Sequence, residues 1–181
     1  MIEKFSYFTD SNVSLELTMG ADVDLFLEDN EEKILSFYGA SKKGVKWIHN
    51  SKWIELIEQV DNLSGFPNVE KDKVVIVYPI ASEKCPPPFN ALVYNADGTV
   101  HRQLEAPEPV TKLPKERAKR MRKTKHVAPE DRLFFYGIKW REVGGKTVTV
   151  AKIGFDRDCW EERIINLETG EFGKCINTNV K

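Results

Sequence analysis

At 181 residues, with 41% hydrophobic and 30% charged side chains, the chain has the size and composition of one globular domain that folds without disulfides or metal. It offers no run of about 18 apolar residues to span a bilayer, and Met1-Ile2-Glu3-Lys4-Phe5-Ser6 lacks the basic-then-apolar pattern of a secretory signal. Three cysteines (Cys85, Cys159, Cys175) form no CxxC pair, so a reducing, cytoplasmic setting is expected.

The net charge of −1 hides an asymmetry. Residues 1–70 carry 13 acids against 6 bases, whereas residues 111–126 carry 8 bases against 1 acid. Such a layout steers association and says nothing about fold.

Taken in chain order, Ser14 to Met19 and Asp22 to Leu27 alternate polar and apolar residues, the period of a half-buried strand. Lys33 to Tyr38 and Val45 to Ile48 read as further strands, with Gly39 to Gly44 between them as a turn. A helix is expected over about 51–63. Asn50 or Ser51 caps it, and Trp53, Leu56, Ile57 and Val60 recur at i, i+3, i+4 and i+7. Gly65 and Pro67 stop it. At that spacing Trp53 reads as core rather than as a ligand platform.

Lys73 to Ala81 is strongly β-branched, as a central strand would be. Cys85-Pro86-Pro87-Pro88 imposes an extended, non-pairing segment. Phe89 to Tyr94, Asn95-Ala96-Asp97-Gly98 and Thr99 to Leu104 form a hairpin signal. Residues 113–124 read as a basic helix or a loop, with only Leu113, Ala118 and Met121 available to face a core. The remainder reads as a β-meander turning at Gly144-Gly145 and at Thr169-Gly170. With no βαβ alternation, the expected class is α+β, mainly antiparallel β, with the well-defined helix at about 51–63. The expected organisation is a single domain: strands plus helix over 1–70, strand and hairpin over 73–107, a basic insertion over 111–126 and the meander over 131–177.

Catalytic signatures are missing from this pattern. His49, His101 and His126 are scattered, no GxSxG surrounds a serine, and no glycine loop suited to phosphate is present. Zinc would need clustered Cys and His. Asp156, Asp158, Glu161 and Glu162 could hold a hard cation, but Arg157 and Arg163 can neutralise them, so a solvated, salt-bridged turn is the expected reading. No enzyme, cofactor or metal is therefore expected.

Two charged segments remain as binding candidates. Asp22, Asp24, Glu28, Asp29, Glu31 and Glu32 fall within eleven residues, either as a polar outer face or as a surface for a basic partner such as a nuclease domain. Lys112, Lys115, Arg117, Lys119, Arg120, Arg122, Lys123 and Lys125 form the basic run. It reads as a solvated tether, as a protein-contact surface or as a nucleic-acid site centred on Lys115, Lys119, Arg120, Arg122 and Lys123. The lack of interleaved aromatics weighs against the last.

Two stretches carry a family resemblance: Pro88 to Gly98 followed by Leu104-Glu105-Ala106-Pro107, and Trp160-Glu161-Glu162-Arg163 followed by Leu167-Glu168-Thr169-Gly170-Glu171. Over roughly residues 88–107 and 133–176 the chain resembles small β-rich immunity proteins of bacterial polymorphic-toxin and contact-dependent-inhibition loci. The resemblance implies a protein that binds and neutralises a cognate toxin domain, often a nuclease, by covering its active site. It transfers no binding residue.

Overall fold

The computed structural model describes residues 1–11, 13–21, 31–58, 63–121, 133–156 and 159–180. Strand β1 (Ile2–Thr9) is followed by β2 (Ser14–Glu16), α1 (Glu31–Gly39), β3 (Lys42–His49), β4 (Lys52–Ile57), β5 (Ser64–Pro67) and β6 (Lys73–Val77). Then come β7 (Ala91–Asn95), β8 (Val100–Leu104), α2 (Lys112–Met121), β9 (Phe134–Val143), β10 (Lys146–Asp156), β11 (Cys159–Ile165) and β12 (Phe172–Val180). With twelve strands and two short helices among the described residues, the class is α+β and β-rich, as expected. Among the described residues no helix is long and apolar enough to cross a membrane.

The strands form three four-stranded sheets, ordered β2-β1-β3-β4, β5-β6-β7-β8 and β12-β11-β10-β9. All their pairings are antiparallel. The sheet β5–β8 is the middle layer. Val74, Ile76, Tyr78 and Tyr94 face one core, with Phe5, Val45 and Trp47 of the first sheet. Val75, Val77, Ala91 and Val93 face the other, with Ala151, Ile153 and Ile165 of the last. This explains the unbroken apolar run in β6. A strand covered on both faces has no polar side to alternate with, and all five of its residues are buried.

Polar bonds hold the layers in register. The Trp47 indole donates to the Ala96 carbonyl at 2.6 Å, and the Trp140 indole donates to the Pro67 carbonyl at 2.7 Å. The Tyr7 hydroxyl donates to the Gly65 carbonyl and accepts from the Gly65 amide, both at 2.8 Å. Burial, partly offset by the Gly65 amide, pushes the Tyr7 pKa up to about 12.

Several sequence expectations hold. The 89–104 hairpin forms, with Gly98 at φ +87°, and the C-terminal meander turns at Gly144 and Gly145, with φ of +59° and +75°. In both turns the positive φ is reached without a Cβ penalty.

Two others are reversed. The segment expected as a helix over 51–63 is strand β4 over Lys52–Ile57; residues 59–62 lie outside the described residues. Asn50 and Ser51 take φ of +50° and +60° and close a two-residue hairpin that pairs His49 with Lys52. Asparagine tolerates that conformation. The presumed helix cap is instead a reverse turn, and the apolar residues alternate across a strand.

Conversely, Lys33 to Tyr38 is not a strand. It lies within α1, where Glu31 and Glu32 occupy the favourable N-terminal turn. Ile34 and Phe37, three residues apart, pack into the core. Pattern reading also passed over β1 and took Ser64 to Pro67 as a helix stop, whereas it forms β5 and pairs with β6. The strand expected over Asp22 to Leu27 lies outside the described residues.

Candidate protein-binding face

Side-chain parity in β4 defines an exposed face. Ile54 and Leu56 turn inward against the first core, so Trp53, Glu55 and Ile57 must point outward. Trp53 is 51% exposed and Ile57 62%. Cross-strand register sets Ile48 beside Trp53, Lys46 beside Glu55 and Gly44 beside Ile57, and the next strand sets Phe8 beside Gly44.

Gly44 is required there. A Cβ would lie 2.4 Å from the Phe8 ring and 2.3 Å from the Leu56 carbonyl oxygen, well inside van der Waals contact. The Lys46 ammonium sits between two rings, 5.2 Å from the Trp53 centroid and 5.8 Å from that of Phe8, within cation–π reach of both. Among the described residues β4 is the last strand of its sheet. The face therefore combines a half-exposed indole, aliphatic surface, one cation and an edge strand, the ingredients of a protein-docking patch.

Helix reading had placed Trp53 in the core, and the structure places it at the centre of this face. In Trp53-Ile54-Glu55-Leu56-Ile57 only Glu55 marks a polar position, so the sequence pattern alone does not separate the two faces.

Of the acidic candidates, Glu31 and Glu32 are exposed at the start of α1, and Asp22, Asp24, Glu28 and Asp29 lie outside the described residues. Of the basic candidates, Lys115, Lys119 and Arg120 are exposed on α2, while Arg122 and Lys123 lie outside. The basic segment is a helix with a firmer anchor than expected. Pro114 and Ala118 face inward, and Leu113 is exposed.

That anchor is Glu161. Fully buried on β11, its carboxylate accepts from the Val110 amide at 3.1 Å, from the Thr111 amide at 2.7 Å and from the Thr111 hydroxyl. It thus occupies the free amides ahead of α2. The reading of Glu161 and Glu162 as part of a solvated turn is corrected, because both are buried. Nor does Arg163 neutralise them as an ion-pair partner. Its guanidinium donates to the carbonyls of Glu108, Phe172 and Gly173, each at 3.3 Å. Asp158 and Arg157 lie outside the described residues.

Groups that catalysis would use are engaged elsewhere. His49 contacts the Met1 amino group and carbonyl, both at 3.3 Å, and His101 approaches the Glu168 carbonyl at 3.3 Å. Burial pushes the Cys85 thiol pKa up, against the pull of Lys84, which favours the unreactive protonated form. His126 lies outside the described residues.

No family model and no curated protein matches this sequence. Among solved structures, a chain in the structure of Tne2 in complex with Tni2 shares the architecture, with a TM-score of 0.59 at 8% identity over 97% of each chain. At that identity the likeness is one of fold. It extends over essentially the whole length of both chains.

Proposed function

We propose that this chain is an immunity protein that binds a cognate bacterial toxin domain in the cytoplasm and neutralises it by occlusion, with no chemistry of its own and no cofactor. Trp53 and Ile57, exposed on the same side of β4 with Glu55 between them, are the observation that carries this reading. Two others support it: the hairpin motifs resemble those of immunity proteins, and the fold is shared with a chain of a two-protein complex.

On this reading Trp53, with Phe8, Lys46 and Ile57, forms the anchor of the interface. The acidic segment containing Asp22, Asp24, Glu28, Asp29, Glu31 and Glu32 supplies the field that draws in a basic partner such as a nuclease domain. Anchors set the dissociation rate, and charge sets the association rate.

The test is binding to the C-terminal domain of the protein that the adjacent reading frame encodes, which this reading expects to be a large secreted protein with a toxin domain. Trp53→Ala is expected to weaken the complex by about 2 kcal/mol, roughly 30-fold, mostly through faster dissociation. Joint charge reversal at Asp22, Asp24 and Glu28 is expected to slow association and flatten its salt dependence. Normal affinity in Trp53→Ala would show that the face is misassigned.

One observation favours a second reading. Glu161 fixes α2 so that Lys115, Lys119 and Arg120 face solvent, an arrangement suited to phosphates. Binding to RNA or DNA at ~50 mM salt that collapses as salt rises would favour that reading.

A further inference from the structure

The outer face of the β9–β12 sheet holds a charge arrangement that the proposed function does not use. In register, Lys152 on β10 lies directly opposite Glu162 on β11, the position in which opposite charges normally pair. They do not pair. The Glu162 carboxylate is taken by Lys139 and Arg141, which reach it from β9 across the intervening strand. Asn177 of β12 adds a bond at 3.5 Å.

The Lys152 ammonium lies instead 4.4 Å from the centroid of the Trp160 ring and 5.3 Å from that of Tyr136. Among the described residues it has no carboxylate within ion-pair distance. Among the described residues, three cations from two strands thus gather around one carboxylate on one sheet face. The carboxylate is at the bottom, with 3% of its side chain exposed, while Lys139 and Arg141 keep 35% and 32%. Loss of hydration, with repulsion from Lys139 and Arg141 outweighing the pull of Glu162, holds the Lys152 pKa below the usual lysine value. An anion arriving above this layer would complete the alternation of charge and occupy ammonium donors that Glu162 leaves unused.

We propose that this face is an oxyanion-binding site in which Lys152, flanked by Lys139 and Arg141, receives a phosphate or carboxylate group. The Trp160 and Tyr136 rings hold the Lys152 ammonium in place by cation–π contact.

The experiment compares thermal melting of the full chain in inorganic phosphate and in sodium chloride at equal ionic strength. Phosphate is expected to raise the wild-type Tm by roughly 3 °C more than that of Lys152→Met. Lys4→Met on β1, an exposed lysine outside this sheet, is expected to respond as wild type. Substituting glutarate for phosphate separates the two sources. A shift in both media assigns any oxyanion, and a shift in phosphate alone assigns a phosphate group. Equal shifts in wild type and Lys152→Met would reduce the effect to general salt stabilisation and overturn the proposal. Phosphorus-31 line broadening of phosphate by the wild-type chain reads the site without any variant, and its absence would overturn the proposal equally. No partner protein enters these measurements, so their outcome is separable from that of the toxin-binding test.

Discussion

Asn90→Ala is expected to destabilise the fold by about 4 kcal/mol, the sum of two or three backbone groups left unpaired in a dry interior. Asn90 is fully buried. Its amide nitrogen donates to the carbonyls of Tyr78 and Phe135, both at 2.9 Å, and its carbonyl oxygen accepts from the Phe135 amide at 2.8 Å. One side chain thus joins the middle layer to β9, and water has no access to replace it. With domains typically stable by only about 5–15 kcal/mol, the variant is expected to sit near its unfolding threshold. Urea denaturation at pH 7 checks this, since the midpoint should fall steeply while the slope stays unchanged. A loss below about 1 kcal/mol would mean that the bridge contributes no more than an ordinary exposed hydrogen bond.

Glu162→Gln carries the next largest effect, about 3 kcal/mol at pH 7, because it removes the buried carboxylate that pairs with Lys139 and Arg141. Burial alone would push the carboxyl pKa up, but the bonds and charges of Lys139 and Arg141 more than reverse that, and the net shift is downward from 4.5. A carboxyl with a depressed folded pKa stabilises the fold fully above its unfolded value. That contribution is lost as pH falls through the folded value. The gap between wild type and Glu162→Gln should therefore be widest near neutrality and narrow below about pH 4.5. Chemical denaturation at pH 7 and in mild acid reads the sign, and a gap that widened on acidification would contradict it.

What was legible in the sequence depended on whether a segment had one structural solution. The β7–β8 and β9–β10 hairpins were legible because Asp97-Gly98 and Gly144-Gly145 leave little choice of turn. The run in β6 was legible because β-branched residues without polar alternation fit a strand covered on both sides. By contrast, Trp53, Ile54, Leu56 and Ile57 fit both a helical stripe and a strand with two apolar faces. The choice was made by the Asn50-Ser51 reversal and by packing against the middle layer, neither of which a local pattern contains. Lys33 to Tyr38 failed for the same reason in the opposite sense, since Ile34 and Phe37 satisfy either period.

The exposed face of β4 followed from the fold. Once β4 is a strand, Trp53 and Ile57 become its exposed side. Burial of Glu161 and Glu162 was illegible because two adjacent acids read as solvent-facing. One is held by amides ahead of α2 and the other by cations from β9, and both partners are more than twenty residues away except across the sheet itself. The sequence's acidic and basic segments were visible as charge, but their surfaces depend on which elements carry them.

The most direct measurement is calorimetric titration of the purified chain into the C-terminal domain of the protein that the adjacent reading frame encodes, read together with that domain's toxic activity. An immunity protein is expected to form a 1:1 complex with Kd in the nanomolar range or tighter, corresponding to about −12 kcal/mol or more, and to abolish toxin activity at equimolar ratio. No heat of binding at micromolar concentrations, or full toxin activity with the chain in excess, would contradict the central claim.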